Sequence, residues 1–515
     1  MGDSNKLLFV LAIATLAACQ KTDGGGATGP QGGSAGAGAA AGTGAAAGTG
    51  TGATAGADAS GGGGMSSAGT GGTGMPAGGA PPQDSACGIG NTAFCATFEE
   101  GPSSVRGRGG DLDPELFSAG RIAPQSMSGG EMTVWVGPAT IPSCRTGVGP
   151  TVLPPDDTLI CTPTATIGSS HLMTAVGSQN YGLNSYRIRQ PFDFANRTGT
   201  IALDVDATML DGLYGWASVE VTEDPDPTPS FTSYEYGPLP RNALEVQFDF
   251  DRCGDNGVSV GRALVFRNYA LTQLENSDGD PECFATQLGR LNRVRIRMSQ
   301  TRLEVLASDF SSDGLTFSEP RVVFAADMSL PFTRGFVHFT AHNHATLKYG
   351  YEDAWIVRWD NIGFDGPKIA RAREYEVPDS MEAATVTDTR GVNVGYQLGE
   401  NPRPAPPLVF EGVDLSGVTK ATLSLSSYYL NQGGNYGQYT LRYRFNGGEF
   451  IDRPLNAGEV SAISTMSQLG AMVQAIDVPL SALQDGTNTL EFATANVPTS
   501  YPPAVANIDL VLSTE

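Results

Sequence analysis

From about Thr22 to Gln83 the chain is built almost wholly from Gly, Ala, Thr and Ser, and this stretch decides where folding can happen. With so few large apolar side chains it cannot bury enough surface to offset the entropy lost on ordering. It is expected to be a disordered coil, about several tens of Å from end to end. Pro81-Pro82 stiffens its exit. Any packed core has to come from the residues after Asp84, where aromatic and β-branched residues appear between frequent Gly, Asp, Pro and Asn.

In that region alternation of apolar and polar residues dominates, and no stretch keeps a helical i, i+3, i+4 spacing over several turns. Strands are expected at 185–189, 200–205, 217–221, 244–250, 294–298, 303–306, 336–340 and 355–359. A second set is expected at 421–425, 439–445, 473–478, 490–492 and 508–512. Many short strands separated by turn residues predict an all-β chain of sandwich or jelly-roll type. Phe445-Asn446-Gly447-Gly448-Glu449-Phe450 reads as a hairpin, because Asn-Gly supplies the positive φ that a tight turn requires.

The N-terminus carries an export pattern. Lys6 is followed by an apolar run, Leu7 to Ala18, that is too short to span a bilayer. It ends in Leu16-Ala17-Ala18-Cys19, which resembles the lipobox of bacterial lipoproteins. That resemblance implies cleavage before Cys19 and acylation of its thiol. The long Gly/Ala spacer behind it resembles the tethers of surface lipoproteins from myxobacteria-like Gram-negative bacteria. Export, a lipid anchor and a location at the outer membrane or cell surface follow as expectations.

Seven cysteines less Cys19 leave six, an even number for an exported chain. They lie as near neighbours in sequence, which predicts the pairs Cys87–Cys95, Cys144–Cys161 and Cys253–Cys283. No Cys-x-x-Cys pattern suggests a zinc site among them. The net charge of −23 argues against nucleic acid as a partner and against adsorption to anionic lipid, so contact with a membrane is expected through the lipid anchor only.

Three segments carry a further resemblance: Phe94-Cys95-Ala96-Thr97-Phe98-Glu99-Glu100, the Tyr186 to Phe194 strand running into Thr198-Gly199-Thr200-Ile201, and Trp359-Asp360-Asn361-Ile362-Gly363-Phe364-Asp365-Gly366. Together they resemble the concanavalin A-like lectin/glucanase superfamily over roughly residues 88–368. Residues 483–492 look like the penultimate turn and strand of galactose-binding-like β-sandwiches. The expected organisation is a signal peptide (1–18), an acylated Cys19 with a disordered linker (19–85), a concanavalin A-like jelly roll (86–368) and a second, smaller galactose-binding-like β-sandwich (369–515).

Those resemblances imply a glycan or polysaccharide as partner. In the glucanases of that superfamily a strand bears Glu-x-Asp-x-Glu. This chain has Glu245-Val246-Gln247-Phe248-Asp249, with an amide in the middle and a shorter final acid. Alternation puts Glu245, Gln247 and Asp249 on one face, where they serve sugar binding on a solvated concave surface or, as the alternative, catalysis by Glu245 and Asp249 as hydrolase or lyase. His338, His342 and His344 also alternate; they suit either a metal or proton-transfer role, or plain hydrogen bonding on a polar sheet face. Tyr428, Tyr429 and Tyr436 flank a Gly- and Asn-rich loop and are candidates for sugar contacts. No cofactor is expected, although the acidic turn Asp278-Gly279-Asp280-Pro281-Glu282 leaves calcium open. Two functions stay in play: a non-catalytic, carbohydrate-binding or adhesive surface lipoprotein, and a glycan-cleaving enzyme on the same scaffold.

Overall fold

In the computed structural model the described residues run from 86 to 514, without 102, 105–108, 110, 123–131, 138–169, 178–181, 207–214, 227–238, 250–252, 254–256, 281, 286–290, 310–316, 344–353, 378–391, 394–395, 399–400, 404–406, 429–439, 465–471 and 496–503. The chain is all-β, as the alternation predicts: a jelly-roll sandwich followed by a second, smaller sandwich. Every strand expected from the sequence falls on an observed one.

The first sandwich has an eight-stranded and a nine-stranded sheet, and the chain crosses between them several times. Gly182–Ile188 lies in the larger sheet, Gly199–Asp206 in the smaller and Gly215–Thr222 in the larger again. Apolar positions of both sheets meet in one core. Tyr186, Phe339 and Trp359 pack there ring against ring, with Trp359 edge-on to both others. The opening strand Thr92–Ala96 pairs antiparallel with the closing strand Ala354–Asp365. That pairing depends on Gly363, where a Cβ would stand 2.3 Å from the Phe94 carbonyl oxygen. Cys87–Cys95 and Cys253–Cys283 are both bonded. Cys144 and Cys161 lie outside the described residues, as do Cys19 and the leader and linker expected before residue 86.

The second sandwich faces a five-stranded sheet, centred on Ala504–Ser513 and Lys420–Tyr428, with a four-stranded one, centred on Gly486–Ala495 and Thr440–Phe445. Leu423, Leu425, Phe410, Tyr443, Phe445, Leu490 and Leu510 fill the space between. The Asn446-Gly447 turn is present, with φ of 53° and 66°.

One expectation needs correcting: a helix does form, at Ala457–Ser464. The Asn456 side chain accepts from the Glu459 N–H at 3.0 Å, and the Glu459 carboxylate accepts from the Asn456 N–H at 2.8 Å. This reciprocal cap satisfies two donors that a helix N-terminus otherwise leaves open. Replacing Asn456 with alanine is expected to cost about 1 kcal/mol, read as a fall in the urea midpoint at unchanged slope. Among the described residues no helix is long and apolar enough to cross a membrane.

The second sandwich packs on the outer face of the nine-stranded sheet, and this placement shapes everything about the candidate site. Leu239, Ala243, Leu264, Phe266 and Tyr269 of the first sandwich form an apolar cluster with Ile463 and Met472 of the second. Arg187 forms a fully buried ion pair with Glu374. The Ser424 hydroxyl donates to the Pro225 carbonyl at 2.9 Å, and the Ser118 hydroxyl to Asp509 at 3.4 Å.

Candidate functional site: the polar face of the nine-stranded sheet

Five neighbouring strands build the face: Ala243–Asp249, Gly215–Thr222, Arg334–Asn343, Gly182–Ile188 and Phe117–Ile122. Period-two alternation sends Val246, Val219, Phe339 and Tyr186 into the core and leaves the polar residues on the other side. Antiparallel register then aligns those polar residues in rows. One row runs Glu245, Glu220, His338, Arg187, Ser118. The next runs Gln247, Ser218, Thr340, Ser185. Beyond it Trp216 is paired with His342, and their rings stack at 5.0 Å.

The rows are linked by hydrogen bonds. Ser218 and Thr340 each donate to a different oxygen of Glu220, the latter at 2.9 Å. The Gln247 amide donates to Glu245 at 2.8 Å. His342 Nε2 lies 3.2 Å from the Ser218 hydroxyl and 4.0 Å from Glu220, while His338 Nε2 lies 3.0 Å from the Thr222 hydroxyl. Burial lowers the pKa of both imidazoles. The nearby Arg187 charge adds to the effect at His338, whereas Glu220 only partly opposes it at His342. Both rings are therefore neutral at pH 7.

This geometry settles several sequence expectations. Glu245 and Gln247 do share the face, but the face is not solvated: Glu245 and Glu220 are each only 1% exposed and His338 and His342 are 0%. The reason lies in tertiary packing, since the second sandwich sits on this sheet. The side chain of Asp249 and all of His344 lie outside the described residues, as do Tyr429, Tyr436 and the side chain of Tyr428. His338 and His342 point to the same face, yet they stand four residues apart along one strand, about 13 Å, and bind separate hydroxyls. They form no joint metal site.

The carboxylate that meets Glu245 is Glu220, its direct cross-strand neighbour, which the strand-by-strand reading passed over. The outward positions of Ser218 and Glu220 were visible in the alternation; the pairing of the two strands was not. Oxygens of the two acids lie within 4.8 Å of each other, close to the spacing retaining glycosidases use. Burial of both denies a polysaccharide access between them.

Asp278 and Asp280 are exposed, and Glu282 pairs with Arg321 at 2.6 Å. Trp359 is wholly buried and donates to the Thr174 hydroxyl at 2.7 Å, so it belongs to the core. Trp216 differs: its ring is only half-buried, at the end of the face farthest from the Arg187–Glu374 contact. Exposed Arg262 stands opposite Gln247 on the adjoining strand.

No protein-family model and no curated protein matches the chain. Solved structures give loose likenesses. The potassium-bound Emp46p carbohydrate recognition domain is 11% identical, with 38% of this chain and 83% of that one aligned and a TM-score of 0.26. The VIP36 exoplasmic/lumenal domain with Ca2+ and Man3GlcNAc bound is 15% identical over 36% and 78%, with a TM-score of 0.22. The legume lectin-like domain of Entamoeba histolytica is 8% identical over 38% and 84%, with a TM-score of 0.24. Overlays this loose carry over neither a fold name nor a ligand.

Proposed function

We propose that this chain is a non-catalytic glycan-binding protein, exported and held at the surface of a Gram-negative cell by an acylated Cys19. The Gly- and Ala-rich stretch behind Cys19 serves as the spacer between the membrane and the two sandwiches. The sugar is met at the open end of the polar sheet face. The observation that carries this reading is Trp216: a half-buried indole, backed by His342, with the exposed Arg262 two strands away on the same sheet. An aromatic ring offers the apolar face of a pyranose a platform, and an exposed guanidinium suits its hydroxyls. Binding is favoured over cleavage because Glu220 and Glu245, the facing acids, are sealed from solvent.

A glycan array probed with the full-length chain tests it. Binding to at least one polysaccharide class is expected, weakened tenfold or more by Trp216→Ala. An array with no ligand, or a variant that binds as tightly as the parent, refutes the reading. The anchor has its own test: mass spectrometry of the mature protein from its native host should find an N-terminal diacylglyceryl-modified Cys19.

A further inference from the structure

We propose that the seam between the two sandwiches is a proton-controlled latch, in which Arg187 of the first sandwich is held by either of two carboxyls, Glu374 of the second sandwich or Asp226 of the first. The proposal is independent of glycan binding. In the closed seam one terminal nitrogen of the Arg187 guanidinium pairs with Glu374, and both side chains are 1% exposed. The Arg187 Nε donor is also buried and has no hydrogen-bond partner among the described residues. Asp226 is its complement: it is 2% exposed, and one of its buried carboxyl oxygens lacks a partner too. Each unmade bond is costly to bury, and the Arg187 charge is felt at Asp226.

The sequence puts Asp226 there through Glu223-Asp224-Pro225-Asp226, which leaves the strand Gly215–Thr222 at the seam. The second sandwich closes over this turn, where the Ser424 hydroxyl donates to the Pro225 carbonyl. Asp224 takes the nearest cation on the first sandwich: Arg241 donates to both its oxygens, at 2.7 and 2.9 Å, and to Glu223 at 2.9 Å. Asp226 is left with burial and acidic neighbours. Burial and the Asp224 charge, with a smaller push from Glu223, raise its carboxyl well above the ordinary carboxylate range, and Arg241 and Arg187 offset this only in part. Two more titratable groups face the turn among the described residues: Tyr269, and Lys420 of the second sandwich, which pairs with Asp477 at 3.2 Å. His338, beside Arg187 on the sheet, meets the Thr222 hydroxyl, which donates to the Asp224 carbonyl.

In the closed seam Asp226 therefore keeps its proton while Glu374 is ionised. When the seam opens, water reaches Asp226 and its carboxyl gives the proton to solvent. Its freed oxygen accepts from the Arg187 Nε–H, and the Glu374 carboxylate passes into water. Opening releases one proton, so rising pH favours it, by up to about tenfold per pH unit between the open and closed values of Asp226. His338 acts with the opposite sign. Burial and the Arg187 charge keep it neutral in the closed seam, and exposure lets it take up a proton below about pH 6.5. Glu374, held at about 2 against 4.5, is ionised in both states above about pH 5. The latch thus sets when the sealed row Glu245, Glu220, His338 meets solvent.

The Val473 N–H reports on the seam, because it donates across it to the Leu239 carbonyl at 3.0 Å. Its hydrogen exchange in the full-length chain, corrected for the intrinsic rate at each pH, is compared with that of Asp226→Asn from about pH 5 to about pH 9. The amide copies the protonated carboxyl but cannot ionise, and the His338 contribution is common to both chains. Protection of Val473 in the parent is expected to fall about tenfold or more relative to Asp226→Asn across that range. Glu374→Gln, which removes the partner across the seam, should lower protection at every pH. Far-UV circular dichroism shows which variants are folded; should Asp226→Asn fail to fold, Asp226→Ser takes its place. A ratio of parent to variant protection that is flat with pH, or that rises, overturns the latch. So does a folded Glu374→Gln chain whose Val473 is protected as well as in the parent.

Discussion

Replacing Glu374 with alanine is expected to lower the unfolding free energy by about 3–5 kcal/mol, measured by urea denaturation followed by circular dichroism. Arg187 and Glu374 tie the two sandwiches together with side chains that are each 1% exposed. Burial has stripped water from both charges and each is stabilised by the other, so removing the carboxylate strands a buried guanidinium. Arg189 also leans on the Glu374 carboxylate at 3.8 Å; once it is gone, Arg189 keeps Glu376 at 3.3 Å and the backbone carbonyls of Phe117 and residue 374. The double variant Arg187→Met/Glu374→Leu is expected to recover most of the loss, because an apolar pair of similar volume avoids the desolvation cost altogether. A loss below about 1 kcal/mol for the single variant would mean that the interface is held by its apolar cluster alone.

The same pair gives the protein a pH signature. Burial pushes the Glu374 carboxyl up, but the charges of Arg187 and Arg189 outweigh it and hold the group at about 2, against 4.5 when unfolded. A carboxyl that ionises more readily in the folded state stabilises the fold above its unfolded pKa. That contribution is lost as pH falls from about 4.5 toward about 2. It amounts to roughly 3 kcal/mol. The stability gap between parent and Glu374→Ala should therefore be full at pH 6 and narrow by about that amount as pH approaches about 2.

Trp359→Ala is the second large effect, expected to cost about 3–5 kcal/mol. The indole is wholly buried, stands edge-on to Tyr186 at 6.2 Å and Phe339 at 5.5 Å, and donates to the Thr174 hydroxyl at 2.7 Å. Truncation opens a cavity between the two sheets and removes a hydrogen bond from a buried hydroxyl at the same time. Trp359→Phe keeps much of the volume and should cost about half as much. Trp216→Ala, at the half-buried end of the polar face, should cost under about 1 kcal/mol. A reversal of that order would exchange the roles assigned to the two indoles.

The strands were legible because alternation is a property of one strand at a time: Ser185 to Arg189 and Ala217 to Val221 reveal themselves locally. Two disulfides, Cys87–Cys95 and Cys253–Cys283, were legible for the same reason, since their partners are close in sequence. Register is a relation between strands, so the meeting of Glu220 with Glu245 was hidden even though both outward positions were readable. The burial of the polar face was further out of reach. It depends on residues such as Glu374 and Met472, more than a hundred positions along the chain, docking onto that sheet. The helix at Ala457–Ser464 was missed for a different reason. Its eight residues include Gly458 and two serines, and only Glu459 and Ile463 are buried, so no apolar stripe marks it. The Asn456…Glu459 spacing was the signal that remained.

Hydrogen–deuterium exchange of the full-length chain, with and without the tightest oligosaccharide from the array, bears most directly on the proposed glycan site. Slowed exchange is predicted in peptides covering Gly215–Ser218, Gln247 and Arg262, and Trp216→Ala should abolish it. Slowed exchange confined to the second sandwich, with these peptides unchanged at saturating sugar, would contradict a binding site at the open end of the polar face.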